Sequence, residues 1–156
     1  MTLVRLNGTS FIFIYGGYSL DEDKAVSTLI AVDVDHQEWW YVHVEGGDVA
    51  GRINPVVVAV EQRIYIFGGC EKYCEANPQP FRSYSIMSYQ SALRQWIWEA
   101  RDIPYSSLVP PHQFFGAGIP VYNGKKIMLT PGKPVCRDDV RVLFCTSAAI
   151  DLYFYP

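Results

Sequence analysis

Long apolar runs are missing: no stretch of the 156 residues approaches the roughly 20 apolar positions that a bilayer-spanning helix requires. The opening Met1-Thr2-Leu3-Val4-Arg5 has no charged start, apolar stretch and small-residue cleavage site of a secretory leader. The expectation is a soluble chain with no membrane partner, cytoplasmic or nuclear, unless a leader has been trimmed from it. An excess of positive charge is also missing. Thirteen Lys and Arg face 16 Asp and Glu, a net charge of -3, so no basic field exists to attract a phosphate backbone, and nucleic acid is excluded as the expected partner.

Cysteine is scarce. Cys70, Cys74, Cys136 and Cys145 are too few for a dense disulfide framework and are read mainly as thiols. A Cys70–Cys74 disulfide within one loop remains open and would imply an oxidising compartment. Zinc is not expected, because the Cys70/Cys74 spacing has no second close ligand pair to complete it. Catalytic signatures are lacking as well: there is no Ser-His-Asp arrangement, no phosphate-binding glycine loop and no informative pair of carboxylates. Neither catalytic residues, a metal nor a cofactor is therefore assigned.

What the chain does have is hydrophobic and aromatic mass, 49% hydrophobic with 4 Trp, 11 Tyr and 8 Phe, in a length typical of one domain. That composition excludes intrinsic disorder. It also has a repeat. Phe11-Ile12-Phe13-Ile14-Tyr15-Gly16-Gly17 is matched by Arg63-Ile64-Tyr65-Ile66-Phe67-Gly68-Gly69, with the glycine pairs 52 positions apart. Each passage reads as a strand of β-branched and aromatic residues that ends where a missing Cβ lets the backbone turn sharply.

The surroundings repeat too. A strand and a tight turn precede each passage (2–6 with Asn7-Gly8, and 55–60 with Glu61-Gln62). A polar loop, a second strand (28–34 and 81–89), a short turn and a tryptophan-bearing strand (38–44 and 95–100) follow. A third unit fits less closely. It comprises 114–122, the turn Asn123-Gly124-Lys125, 126–130 and then Pro131-Gly132 where a glycine pair is expected, with 140–146 and 150–155 as outer strands.

With this spacing, the strands into Gly16-Gly17 and Gly68-Gly69, and tryptophans 22 to 29 residues after the pairs, the chain resembles the kelch-repeat β-propeller family. The resemblance implies an all-β, kelch-type propeller segment occupying 1–156 as one domain, with three four-stranded antiparallel blades at about 2–45, 53–100 and 113–155. A β-sandwich with coincidental Gly-Gly turns is the other architecture that such strands suit. Closed propellers need about four to eight blades, so three imply either half of a six-bladed ring, completed by a homodimer or another polypeptide, or a fragment.

The resemblance also implies that loops 18–27, 45–54, 70–80, 101–113 and 133–139 share one face. Tyr18, Arg52, Asn54, Glu71, Tyr73, His112 and Gln113 are the candidate partner-binding residues there. In similar kelch substrate adaptors an arginine placed like Arg52 faces the pocket and holds acidic groups, a role suited to a bidentate guanidinium. The other reading makes Arg52 structural, tying loop 45–54 to backbone carbonyls. Phe114 and Phe115 read either as pocket floor or as core, and Asp21-Glu22-Asp23 as a solvated loop. Trp39, Trp40, Trp96 and Trp98 read as packing between blades rather than as sugar platforms. Copper-radical oxidases resemble this fold, but His36, His43 and His112 do not supply their paired ligands. The expected function is a non-catalytic protein or peptide interaction module whose partner carries acidic groups. A kelch-like enzyme, a carbohydrate-binding propeller and a purely structural half-ring are the alternatives.

Overall fold

A computed structural model describes residues 1–72, 80–104, 115–131 and 148–151; every element among them is a strand, turn or bend. The all-β expectation therefore holds for the described residues. None of them forms a helix long and apolar enough to cross a membrane.

The first sheet is an antiparallel meander of β1 (Thr2–Leu6), β2 (Thr9–Tyr15), β5 (Leu29–Asp33) and β6 (Glu38–Tyr41). Between β2 and β5 the chain makes a small two-stranded hairpin, β3 (Tyr18–Ser19) with β4 (Lys24–Ala25). Alternation dictates the first sheet's faces. Val4, Phe13, Tyr15, Leu29 and Ala31 are buried on one side, while Leu3, Arg5 and Ile14 lie on the other. The β1–β2 turn uses Asn7 at φ 50° and Gly8 at φ 90°, the left-handed pair that a two-residue hairpin turn demands.

The second sheet has five strands, in the order β7 (Val44–Glu45), β11 (Gln95–Pro104), β10 (Ser83–Gln90), β9 (Arg63–Phe67) and β8 (Val56–Val60). The third has three: β12 (Phe115–Val121), β13 (Lys126–Pro131) and β14 (Ala148–Asp151). Three equal four-stranded units are thus not what the described residues form. The segment expected as one outer strand, 38–44, divides. Glu38–Tyr41 stays on the first sheet, while Val44 and Glu45 cross over and pair in parallel with Trp96 and Ile97. In the third sheet Ala148–Asp151 pairs with β13, and residues 140–146, expected as an outer strand, lie outside the described residues.

Among the described residues the sheets stack face to face and do not close into a ring. Val4, Phe13, Tyr15, Leu29 and Ala31 of the first meet Val57, Ile64, Ile66, Met87 and Trp96 of the second. On the second sheet's other face, Val56, Val58, Val60, Tyr65 and Phe67 meet Ile127 and Leu129 of the third. Gly118 permits this second contact, since a Cβ there would lie 2.6 Å from Val58 and 2.9 Å from Leu129. The tryptophans separate accordingly. Trp96 is buried between the sheets and Trp98 packs against that core, whereas Trp39 and Trp40 are exposed.

The turn between β5 and β6 is tied by Asp33. Its Oδ1 accepts from the Asp35 and His36 amides at 2.9 and 3.0 Å, and its Oδ2 lies 3.0 Å from His36 Nδ1. The His36 amide bond is the main cause holding the Asp33 carboxyl below its ordinary value; the side-chain bond to Asp33 is the main cause raising the His36 imidazole. The Asp33 contribution is complete above the ordinary carboxylate range and is lost as pH falls through its lowered folded pKa. The His36 contribution is complete below the ordinary value of about 6.5 and is lost as pH rises through its raised folded pKa, so the pair stabilises most from about pH 4 to 6.5. An NMR titration is expected to place the His36 midpoint above that of an unstructured histidine, and Asp33→Asn to bring it back down. An unmoved midpoint in Asp33→Asn would contradict the pairing.

Candidate functional site

Strand directions give the stack two distinct ends: the Gly-pair end, where β2 and β9 finish, and the turn end, carrying Asn7, Glu61 and Arg94. At the Gly-pair end, the segment leading into β8 threads between the first two sheets. The Gly17 amide donates to Arg52 O at 2.9 Å, the Arg52 amide donates to Val26 O at 3.2 Å, and Ile53 exchanges two amide bonds with Cys70 at 2.8 and 3.0 Å. Only glycine fits at 16: its φ is 78°, and a Cβ would sit 2.3 Å from Arg52 O. The repeated glycine pairs are therefore docking points for the crossing chain.

Arg52 has no exposed surface. Its Nη1 donates to Gly68 O at 2.8 Å and Ser83 O at 3.0 Å; its Nη2 donates to Ser83 Oγ at 3.0 Å and to Asp102 Oδ1 at 2.6 Å. The Phe81 ring lies 4.5 Å from the guanidinium carbon. Nε is the one buried side-chain polar atom among the described residues with no partner. Both Nη atoms thus donate to acceptors within the chain, two of them backbone carbonyls. Nearby, Tyr15 donates to Ala50 O at 3.1 Å, and burial pushes its phenol up to about 12, against the pull of Arg52. The hydroxyl stays protonated and holds the crossing loop.

Of the remaining candidates, Tyr18, Asn54 and Glu71 lie toward the same end. Tyr18 follows Gly17 on β3 and donates to Asp23, while Lys24 pairs with Glu22, so the acidic tip is largely answered within its own hairpin. Asn54 is exposed at φ 52°, and Glu71 is exposed beyond Cys70. Tyr73, His112 and Gln113 lie outside the described residues, as do Phe114, Cys74, Cys136 and Cys145. Cys70 is buried, its Sγ 3.4 Å from Lys72 O.

Asp102 was not among the residues singled out by sequence. It adopts φ 46° at an irregularity in the β10–β11 pairing, where its amide donates to Ser85 Oγ at 3.0 Å and its carboxylate is aimed at Arg52. Nothing in the run Glu99-Ala100-Arg101-Asp102 marks which charge turns inward.

The turn end holds a second feature, a cleft of about 550 Å3 between the first and second sheets. Phe11, Phe13, Trp40, Tyr89 and Trp96 supply aromatic walls, and Asn7, His43, Glu45 and Arg94 supply polar groups. Trp40 meets Phe11 edge-on with ring centres 5.9 Å apart, and His43 Nε2 lies 3.1 Å from Glu45 Oε1. Beside the cleft the chain passes from the first sheet to the second: the Val42 amide still donates to Leu29 O at 2.9 Å, while Val44 and Glu45 pair with β11. The sequence repeat hides that crossing, since 38–44 reads as one strand. Among the described residues, no group of three His, Cys, Asp or Glu side chains is placed to hold a metal.

A scan against protein-family models finds no match to this chain, and a search of curated proteins finds none.

Proposed function

We propose that this chain is a segment of a kelch-type β-propeller acting as a non-catalytic interaction module, with a peptide of its partner protein seated in the cleft at the turn end. The observation that carries this reading is the cleft itself: aromatic walls, mixed polar groups at the mouth and a rigid sheet on either side. Aromatic rings in such a cleft offer large contact area at low entropic cost, and the His43, Glu45 and Arg94 groups can orient a polar backbone. The 52-residue repeat in the sequence supports the propeller assignment. Binding through the Gly-pair end is less favoured, because its arginine is committed to internal acceptors.

Selecting random displayed peptides against the folded chain tests the proposal. Trp40→Ala is expected to weaken the selected peptides by at least about 30-fold, the scale of an aromatic hot spot of about 2 kcal/mol, while the melting temperature changes little. Tyr18→Ala and Glu71→Ala are expected to leave binding intact. If those two changes abolished binding and Trp40→Ala did not, the site would be the Gly-pair end instead.

A further inference from the structure

Across the stack, each sheet turns one face forward to its successor and one back to its predecessor. Ile64 and Ile66 of the second sheet face back to the first, and Ile127 and Leu129 of the third face back to the second. Phe13 and Tyr15 face forward from the first sheet, as Tyr65 and Phe67 do from the second. The two passages align at an offset of 52 residues, with Phe13 and Tyr15 matching Tyr65 and Phe67. Ile12 and Ile14 are thus the counterparts of Ile64 and Ile66. The latter pair is fully buried, yet Ile14 is 39% exposed, and no described sheet lies against it.

That backward face of the first sheet is apolar across its width. Cross-strand pairing lines up Ile12, Val32 and Trp39 in one row and Ile14, Ile30 and Tyr41 in the next. At the other end of the stack, the third sheet's forward face carries Ala117, Ile119 and Met128, with Ile119 48% exposed. The molecule uses one kind of contact twice, forward on backward, and leaves one half of that contact open at each end.

We propose that a second copy of this chain closes both. The backward face of one copy's first sheet packs on the forward face of its partner's third sheet, and the two-fold axis repeats the contact in reverse. One partner then supplies both missing halves, as a two-fold interface requires when each surface meets its complement. Two copies give six sheets, within the range of about four to eight that closed rings contain. Burying these rows also takes the exposed Ile14, Trp39, Tyr41 and Ile119 side chains out of water.

Light scattering on a size-exclusion column across a concentration series reads the outcome, with circular dichroism and melting confirming that each variant is folded. The unmodified chain is expected to have twice its 17.7 kDa mass. Ile14→Arg and Ile119→Arg, one on each open face, are each expected to reduce it to the single mass. Mixing the two variants retains one intact contact of the two, so partial recovery of the double mass is expected. An unmodified chain that stays at the single mass throughout the series overturns the proposal, even if either variant fails to fold. So does a double mass that persists in Ile119→Arg, which would mean that first sheets pair with each other. The result is separable from peptide binding: Trp40 lies on the opposite face from Ile14, and Trp40→Ala leaves both open faces intact.

Discussion

Arg52→Ala is expected to destabilise the fold by about 2 to 5 kcal/mol, the range for truncating a large, fully buried side chain. Several terms contribute. The Asp102 carboxylate is 43% exposed and can recover water, so its share is modest and screened. The larger share comes from emptying a fully buried site and losing the bonds to Gly68 O, Ser83 O and Ser83 Oγ. Chemical denaturation of Arg52→Ala, Asp102→Ala and the double variant checks the account. The double change is expected to cost clearly less than the sum of the singles, since Asp102→Ala strands a buried guanidinium and the double variant does not. Unchanged stability in Arg52→Ala would return this residue to ligand binding.

Arg52 also marks the limit of what the sequence makes legible. Its position in the repeat was readable, because the glycine pairs fix where the crossing segment enters β8. Its role was not, because a guanidinium aimed at solvent and one aimed at carbonyls have the same spacing. The strands themselves were more legible. Alternation from Phe11 to Tyr15 and from Arg63 to Phe67 has a period of two whichever neighbours the strand finds. Where the reading failed, tertiary pairing decided. Residues 42–45 carry strand-forming side chains with either partner, and only the approach of Trp96 and Ile97 draws Val44 and Glu45 to the second sheet. That unforeseen crossing borders the cleft, so the all-β class was visible in the sequence while the cleft was not.

The same dependence on neighbours divides the four tryptophans, which the repeat treats alike. Trp96 is 5% exposed, edge-on to Phe13 with ring centres 4.9 Å apart and 5.5 Å from the Tyr89 ring. Trp39 holds a similar place on the outer strand of the first sheet but is 61% exposed, since no sheet lies behind it. Trp96→Ala is therefore expected to cost about 3 to 5 kcal/mol, because the void opens between two stacked sheets whose backbones cannot collapse into it. In a chain of this size that lowers the melting temperature by about 6 to 20 °C. Trp39→Ala, made in the Ile14→Arg background where copies are kept apart, is expected to stay within about 0.5 kcal/mol of its parent. Calorimetry on the two variants checks both values. Equal losses would mean that the first sheet's backward face is covered within a single chain, whereas a loss confined to Trp96 ties the stability of each outer strand to the sheet stacked against it.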